Sequence, residues 1–333
     1  MSVVAAKGFA ANGIAAGIKP DGRDLAVLLA DAPAVTSAVF TGNLAAAAPV
    51  QLDKARLATA NLMRGVVVNS GCANAATGPT GYTNAEAMTA TLAAAVGGEP
   101  GEYLVCSTGT IGPQLPMDVV TAGIEKAAAG IGSHAEMGTK AALAIMTTDS
   151  VPKEAEVRRE TWVVGGMAKG AGMVRPNMAT MLAFLTTDAV VEAHVLDAAL
   201  TTAVDGTFNS LNIDGCESTN DTVIAMASGA SGVRPAPEEL TEALDTVCRD
   251  LAMQMARDAE GASRVVTIDV SGASSDAEAR RLGRIISDSA LVRSSFYGGD
   301  VNWGRIVGAL GSAETDIDFG EITVAYGGVT VFA

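Results

Sequence analysis

Apolar and polar positions fall in short blocks along this chain, and their period shifts between that of a strand and that of a helix. Ala38 to Thr41 reads as a short strand, Gly65 to Asn69 (GVVVN) as a buried one, and Glu102 to Cys106 and Thr161 to Val164 as two more. Thr83 and Glu86 have capping-box spacing, which predicts a helix from there to Gly97-Gly98. Helices are expected over 117–129 and 135–146. The longest runs from Pro237 toward Glu260, where Leu240, Leu244, Val247, Leu251 and Met255 recur at three and four residues and form one apolar stripe. Val266, Ile268 and Val270 alternate like a strand, a helix over 275–287 follows, and Glu321 to Ala333 reads as a hairpin around Gly327-Gly328. The mixture is α/β or α+β. The last residues, Val331-Phe332-Ala333, halt in mid-strand, so the sequence is expected to be cut short there.

Composition narrows the function classes. A chain of 333 residues, 49% apolar and only 4% aromatic, can bury one large core or two medium ones. Lys plus Arg number 22 against 37 Asp plus Glu, and the resulting net charge of −15 repels nucleic acid and anionic membrane. The four cysteines are scattered with no CxxC pair, so neither a disulfide framework nor a zinc site is indicated. No signal peptide is evident and no apolar run approaches the roughly 20 residues of a membrane span. The expectation is a soluble, cytoplasmic protein. With only His134 and His194, a histidine-based triad or metal site has little to work with.

The chemistry concentrates in Gly165 to Asp188, GGMAKGAGMVRPNMATMLAFLTTD. Pro176 ends any helical reading at Arg175, and Thr180 opens an apolar run of strand character. That is compatible with an ordinary strand, glycine loop and strand. On pattern alone that plain reading is the stronger one; Thr180 becomes a nucleophile only if the bond before it is cut, when the hydroxyl lies beside its own new α-amine, which can serve as base. Ser107-Thr108-Gly109 follows a strand; it is either a simple turn or a place where backbone N–H groups form an oxyanion hole. Phosphate-loop and dinucleotide fingerprints are both missing from the glycine loop around Lys169.

KGAGMVRPNMATML resembles the self-cleavage signature of the ornithine acetyltransferase (ArgJ-type) family, whose precursor cuts itself between Ala and Thr. Further matches keep the family's order along the chain: AIMTTD before this stretch, then Asp214-Gly215, Ser218-Thr219-Asn220-Asp221-Thr222, DAEG, and Gly299-Asp300-Val301-Asn302-Trp303-Gly304-Arg305 after it. The resemblance implies an α/β sandwich of the DmpA/ArgJ-like type, broadly like the N-terminal-nucleophile hydrolases. It implies cleavage between Ala179 and Thr180, giving an α-chain 1–179 and a β-chain 180–333 that stay together as an α2β2 assembly. Thr180 is then the nucleophile, Thr108 and Gly109 form the oxyanion hole, and Thr147, Lys169 and Glu260 join Thr180 in contacting substrate.

The implied reaction is ping-pong transfer of acetyl from N-acetylornithine to glutamate in arginine biosynthesis, without metal or organic cofactor and with acetyl-CoA as a possible second donor. The same residues leave open a Thr-nucleophile amidase or aminopeptidase, an uncleaved binding protein, and a paralogue in specialised metabolism. Two departures stand out. The loop after Asn69 reads NSGCANAATG where family members commonly have NSGNANACTG. Family chains also extend beyond Ala333, with an asparagine and a serine or threonine that complete the substrate site.

Overall fold

The computed structural model describes residues 2–174, 181–313 and 317–333. It divides into two compact units, Met1–Glu260 and Gly261–Ala333.

In the first unit the chain runs β1 (Phe9–Ile14), β2 (Leu25–Phe40), α1 (Ala48–Leu57), β3 (Leu62–Cys72), α2 (Gly78–Val96), β4 (Tyr103–Thr110), α3 (Met117–Ala129) and α4 (Ala135–Ala144). It continues with β5 (Lys153–Arg158), β6 (Val163–Lys169), β7 (Leu182–Thr187), α5 (Ala193–Gly206), β8 (Thr222–Ala227) and α6 (Pro237–Arg257). The strands join in the order β4-β3-β2-β8-β7-β6-β5, with β1 on β2. Pairing is antiparallel except for β3 with β4 and β7 with β8.

The long β2 serves two halves of this sheet. Its first half pairs with β1 and β3, its second with β8, and the β3 register is irregular between Leu29 and Ala34. Side chains that alternate along the strands then separate into layers. Leu25, Val27, Val67 and Val105 pack with Met88, Leu92, Val120 and Ile124 of α2 and α3. Their neighbours Ala26, Leu28, Val66, Val68 and Leu104 share one core with Met167, Leu182, Phe184, Ile224 and Met226 from the other half. The opposite faces of that second half, including Val164, Ala183, Leu185 and Val223, pack on α5 and α6. Helix, strand, strand, helix: this is the α/β sandwich expected.

The helix predictions hold well where the apolar stripe is long. The α6 stripe from Leu240 to Met255 is buried throughout, with Pro237 in the first turn. Helix α2 starts at Gly78 rather than at Thr83; Pro79 suits a first turn, and Asn74 steadies that turn by donating from Nδ2 to the Gly81 carbonyl at 2.8 Å. Strand β4 extends past Cys106 to take in Ser107, Thr108 and Gly109, read from sequence as a turn. Strand β6 likewise absorbs Gly165 and Gly166, assigned to the loop; β5 and β7 pair with it on both sides, and that pairing outweighs glycine's poor strand preference.

The second unit contains α7 (Asp276–Asp288), α8 (Ala290–Gly298), α9 (Trp303–Leu310) and the hairpin β9 (Val324–Tyr326) and β10 (Val329–Phe332). Its core gathers Leu282, Ile286, Val292 and Leu310, with Ile268 and Val270 packed against them. The strand expected over Val266 to Val270 does not form: Val266 is exposed, and Ile268 and Val270 lie half-buried against the helices without joining a sheet. Among the described residues no helix is long and apolar enough to cross a membrane.

Candidate active site

Ala179 and Thr180 lie outside the described residues, but the chain on either side of them is held firmly. On the approach, Asp214 accepts hydrogen bonds from the backbone N–H groups of Met173 and Val174, and Val174 in turn accepts from the Ile213 N–H at 2.7 Å. On the exit, Asp221 Oδ1 accepts the Met181 N–H at 2.9 Å, and Leu182 opens β7 between Lys169 of β6 and Thr222 of β8.

Lys169 ends β6 with its side chain only 2% exposed. Its ammonium lies 3.9 Å from Asp149 Oδ2. Burial lowers the Lys169 pKa, while the charges of Asp149, Asp221 and Glu260 oppose that shift. Asp149 organises the surroundings. Its Oδ2 accepts the Thr147 N–H at 3.1 Å, and its Oδ1 accepts the Gly170 N–H at 2.7 Å and the Lys153 ammonium at 2.7 Å. Burial alone would raise the Asp149 pKa, but Lys169, Lys153 and these donors hold it below the ordinary range. Lys153, fully buried, also reaches Asp258 at 2.6 Å, just beyond the end of α6.

Two residues further, Glu260 donates its N–H to the Ala171 carbonyl at 2.7 Å, and its carboxylate faces Gly172. A Cβ on Gly172 would stand 2.7 Å from Glu260 Oε1, so a side chain there would push the carboxylate aside. The structure thus brings Thr147, Lys169 and Glu260 together around Asp149 at the end of β6.

Thr108 and Gly109 stand at the C-terminal end of β4. Thr108 is buried, and Gly109 has φ +128°; any side chain is excluded there, because a Cβ would fall 2.3 Å from the Gly71 carbonyl carbon. The β3–β4 register shifts here, between Gly71 and Cys72. The preceding residue, Ser107, donates its hydroxyl to Asn69 at 2.6 Å, and its carbonyl accepts the Asn220 side-chain amide at 2.8 Å. Asn220 is followed by Asp221, so β4 and β7 are tied to adjacent residues.

Asp221 is fully buried, and Oδ2 has no hydrogen-bond partner among the described residues. Burial pushes its carboxyl up to about 8, against the Met181 hydrogen bond and the Lys169 charge. Sequence reasoning gave no role to Asp149, Asp214, Asn220 or Asp221. The signal was present: Asp149 closes AIMTTD, and the other three fall within matched motifs. His194 is exposed at the start of α5.

Comparisons with known proteins agree in scope. The ArgJ family model matches residues 10–333. The arginine biosynthesis bifunctional protein ArgJ of Streptomyces avermitilis is 46% identical over 333 residues, covering 99% of this chain and 86% of that protein. Its counterpart in Mycolicibacterium paratuberculosis is 48% identical over 339 residues, covering 99% and 84%. Among solved structures, ornithine acetyltransferase of Mycobacterium tuberculosis, crystallised with ornithine, is 42% identical with a TM-score of 0.51, over 53% of this chain and 94% of that one. The arginine biosynthesis bifunctional protein of Bacillus halodurans gives 40% identity and the same TM-score, over 54% and 95%. Family model and relatives span nearly the whole sequence, and the chain belongs to the ArgJ family.

Proposed function

We propose that this protein is an acyltransferase of arginine biosynthesis that cleaves itself between Ala179 and Thr180 and moves acetyl from N-acetylornithine to glutamate. The observation that carries this reading is the convergence of Lys169, Thr147 and Glu260 around Asp149 beside the entry to β7, in a chain of this family. The matched lengths lend support. The M. tuberculosis ornithine acetyltransferase chain is covered to 94% by 53% of this sequence, and a cut after Ala179 would give a first piece of 179 of 333 residues, a similar share.

In this reading the Thr180 hydroxyl attacks the acetyl carbonyl, and the freed α-amine of Thr180 takes its proton. An α-amine with a pKa of about 7.7–8.0 is partly neutral near pH 7 and suits this task. The oxyanion is stabilised by backbone N–H groups at Thr108 and Gly109. The amine proton passes to the departing ornithine nitrogen as the carbon–nitrogen bond breaks, leaving an acetyl ester on Thr180. The glutamate α-amine then attacks the ester, the carbon–oxygen bond breaks, and N-acetylglutamate leaves with the Thr180 hydroxyl restored.

Lys169 and Glu260 carry the opposite charges that a zwitterionic amino acid requires: the ammonium suits a carboxylate and the carboxylate suits the ornithine side-chain amine. Thr147, anchored by Asp149, completes the contact. An α2β2 particle and a cytoplasmic location belong to the same reading.

The test is transfer from N-acetylornithine with and without glutamate, in the native protein and in Thr180→Ala. N-acetylglutamate formed by the native protein, with the variant reduced at least about a thousand-fold, is expected. Acetate released at the same rate without glutamate would mark an amidase, and undiminished transfer by the variant would overturn the nucleophile. Acetyl-CoA as sole donor tests the second activity.

A further inference from the structure

We infer that Asn220 and Asp221 are a positioning pair that sets the start of β7 against the end of β4, and so the nucleophile against the oxyanion donors. The inference rests on Thr180 as nucleophile and Thr108 as oxyanion donor. Its evidence lies in described residues on both sides.

The Asn220 side-chain amide donates twice, to the Ser107 carbonyl at 2.8 Å and to the Ala73 carbonyl at 2.6 Å, while its Oδ1 accepts the Thr219 hydroxyl at 2.6 Å. With two carbonyls on one side and a hydroxyl on the other, the orientation of the amide is settled by its partners. The Ser107 carbonyl and the Thr108 N–H belong to one planar peptide group and point in opposite directions. Holding the carbonyl therefore aims the N–H.

Asp221 does the same from the other side. Its Oδ1 accepts the Met181 N–H at 2.9 Å, and that nitrogen shares a planar peptide group with the carbonyl of Thr180. The Asp221 carbonyl accepts the Thr41 N–H at 2.9 Å, and the Thr222 N–H donates to the Met181 carbonyl at 3.2 Å, so the anchor itself is braced. Asn220 and Asp221 are 5% and 0% exposed. Because consecutive Cα atoms are about 3.8 Å apart, the two anchored peptide groups cannot drift independently.

The experiment compares the native protein with Asn220→Ala, Asp221→Ala, Asp221→Asn and Thr180→Ala. It reads the cleaved fraction by intact mass, thermal midpoint, and kcat and KM per cleaved chain. Asn220→Ala should lower kcat about a hundred-fold, the effect of losing one oxyanion donor, with KM for N-acetylornithine changed less than about threefold. Asp221→Ala should slow both cleavage and transfer at least about tenfold, and Asp221→Asn, which keeps the Oδ1 acceptor, should recover most of that loss. Lowered thermal midpoints with native kcat in the cleaved chains would overturn the inference and leave the pair a structural clip. Where Asn220→Ala does not fold, the Asp221 variants decide: equal native rates in both overturn it, and loss in Ala with recovery in Asn upholds it. A native protein that is not cleaved, or a Thr180→Ala variant that transfers, is a different failure: the nucleophile reading falls, and this inference with it.

Discussion

Asp149 and Asp221 sit on either side of Lys169 in charge terms, yet their carboxyls are driven in opposite directions. Asp149 is held below the ordinary range, so the stability it contributes is present above about pH 4 and is lost as the solution is acidified further. Asp221 is pushed up to about 8 by burial. From about pH 4 to about pH 8 the folded protein holds a proton on Asp221 that the unfolded chain has released, so this group makes stability fall as pH rises through that window. Asp221→Asn keeps the shape and removes the titration. Its thermal midpoint relative to the native protein should climb from about pH 5 to about pH 8 and then level off. A difference that does not vary with pH would mean Asp221 is ionised throughout.

Gly109→Ala makes a second prediction at this scale. The new methyl would meet backbone at 2.3 Å with φ at +128°, so the end of β4 must move. Strain of about 1–3 kcal/mol or more should appear in chemical denaturation, together with a fall in kcat. At the residue scale the sequence named Thr147, Lys169 and Glu260 through their motifs, but not what holds them. Asp149 and Asp221 look like any other aspartates in sequence; burial and partners, which distinguish them, are set by strands far away in the chain.

Elements were legible where periodicity was long. The α6 stripe, the 117–129 helix and the C-terminal hairpin follow from pattern, whereas the ends of β4 and β6 and the start of α2 depend on neighbours that no local window contains. The end of α6 illustrates why this matters for the site. Lys153, from the start of β5, binds both Asp149 and Asp258, and Asp258 also accepts the Ser150 N–H at 2.9 Å. This buried cation ties the Thr147 loop to the turn bearing Glu260. Lys153→Met leaves two carboxylates without their shared cation, and loss of about 3–5 kcal/mol is expected in denaturant unfolding. Because Glu260 shifts with that turn, KM for N-acetylornithine should rise as well. Native stability in the variant would show that the network is not a structural tie.

For the whole molecule, the consequence of the strand order is that cleavage should not release the pieces. Strands β7 and β8 follow residue 180, yet they lie between β6 and β2, both of which precede it. Separation would have to unzip two ladders and open the cores on both sheet faces. One particle is therefore expected in native mass spectrometry and two chains under denaturing conditions; dissociation in native buffer would contradict this. The sandwich itself was legible only through resemblance. The pairing of β2 with β8 joins Val35 to Ala227, a separation that periodicity does not encode. The compact division at Glu260 likewise differs from the proposed cut at Ala179, since one describes packing and the other a broken bond.

The most direct test of the central claim is the intact mass of the purified protein, denatured after incubation with N-acetylornithine in the absence of glutamate. The account predicts two chains that meet at Ala179 and Thr180, with one acetyl group added to the second and removed again when glutamate is supplied. A single unbroken chain, or a cleaved one that never takes up acetyl, would contradict it.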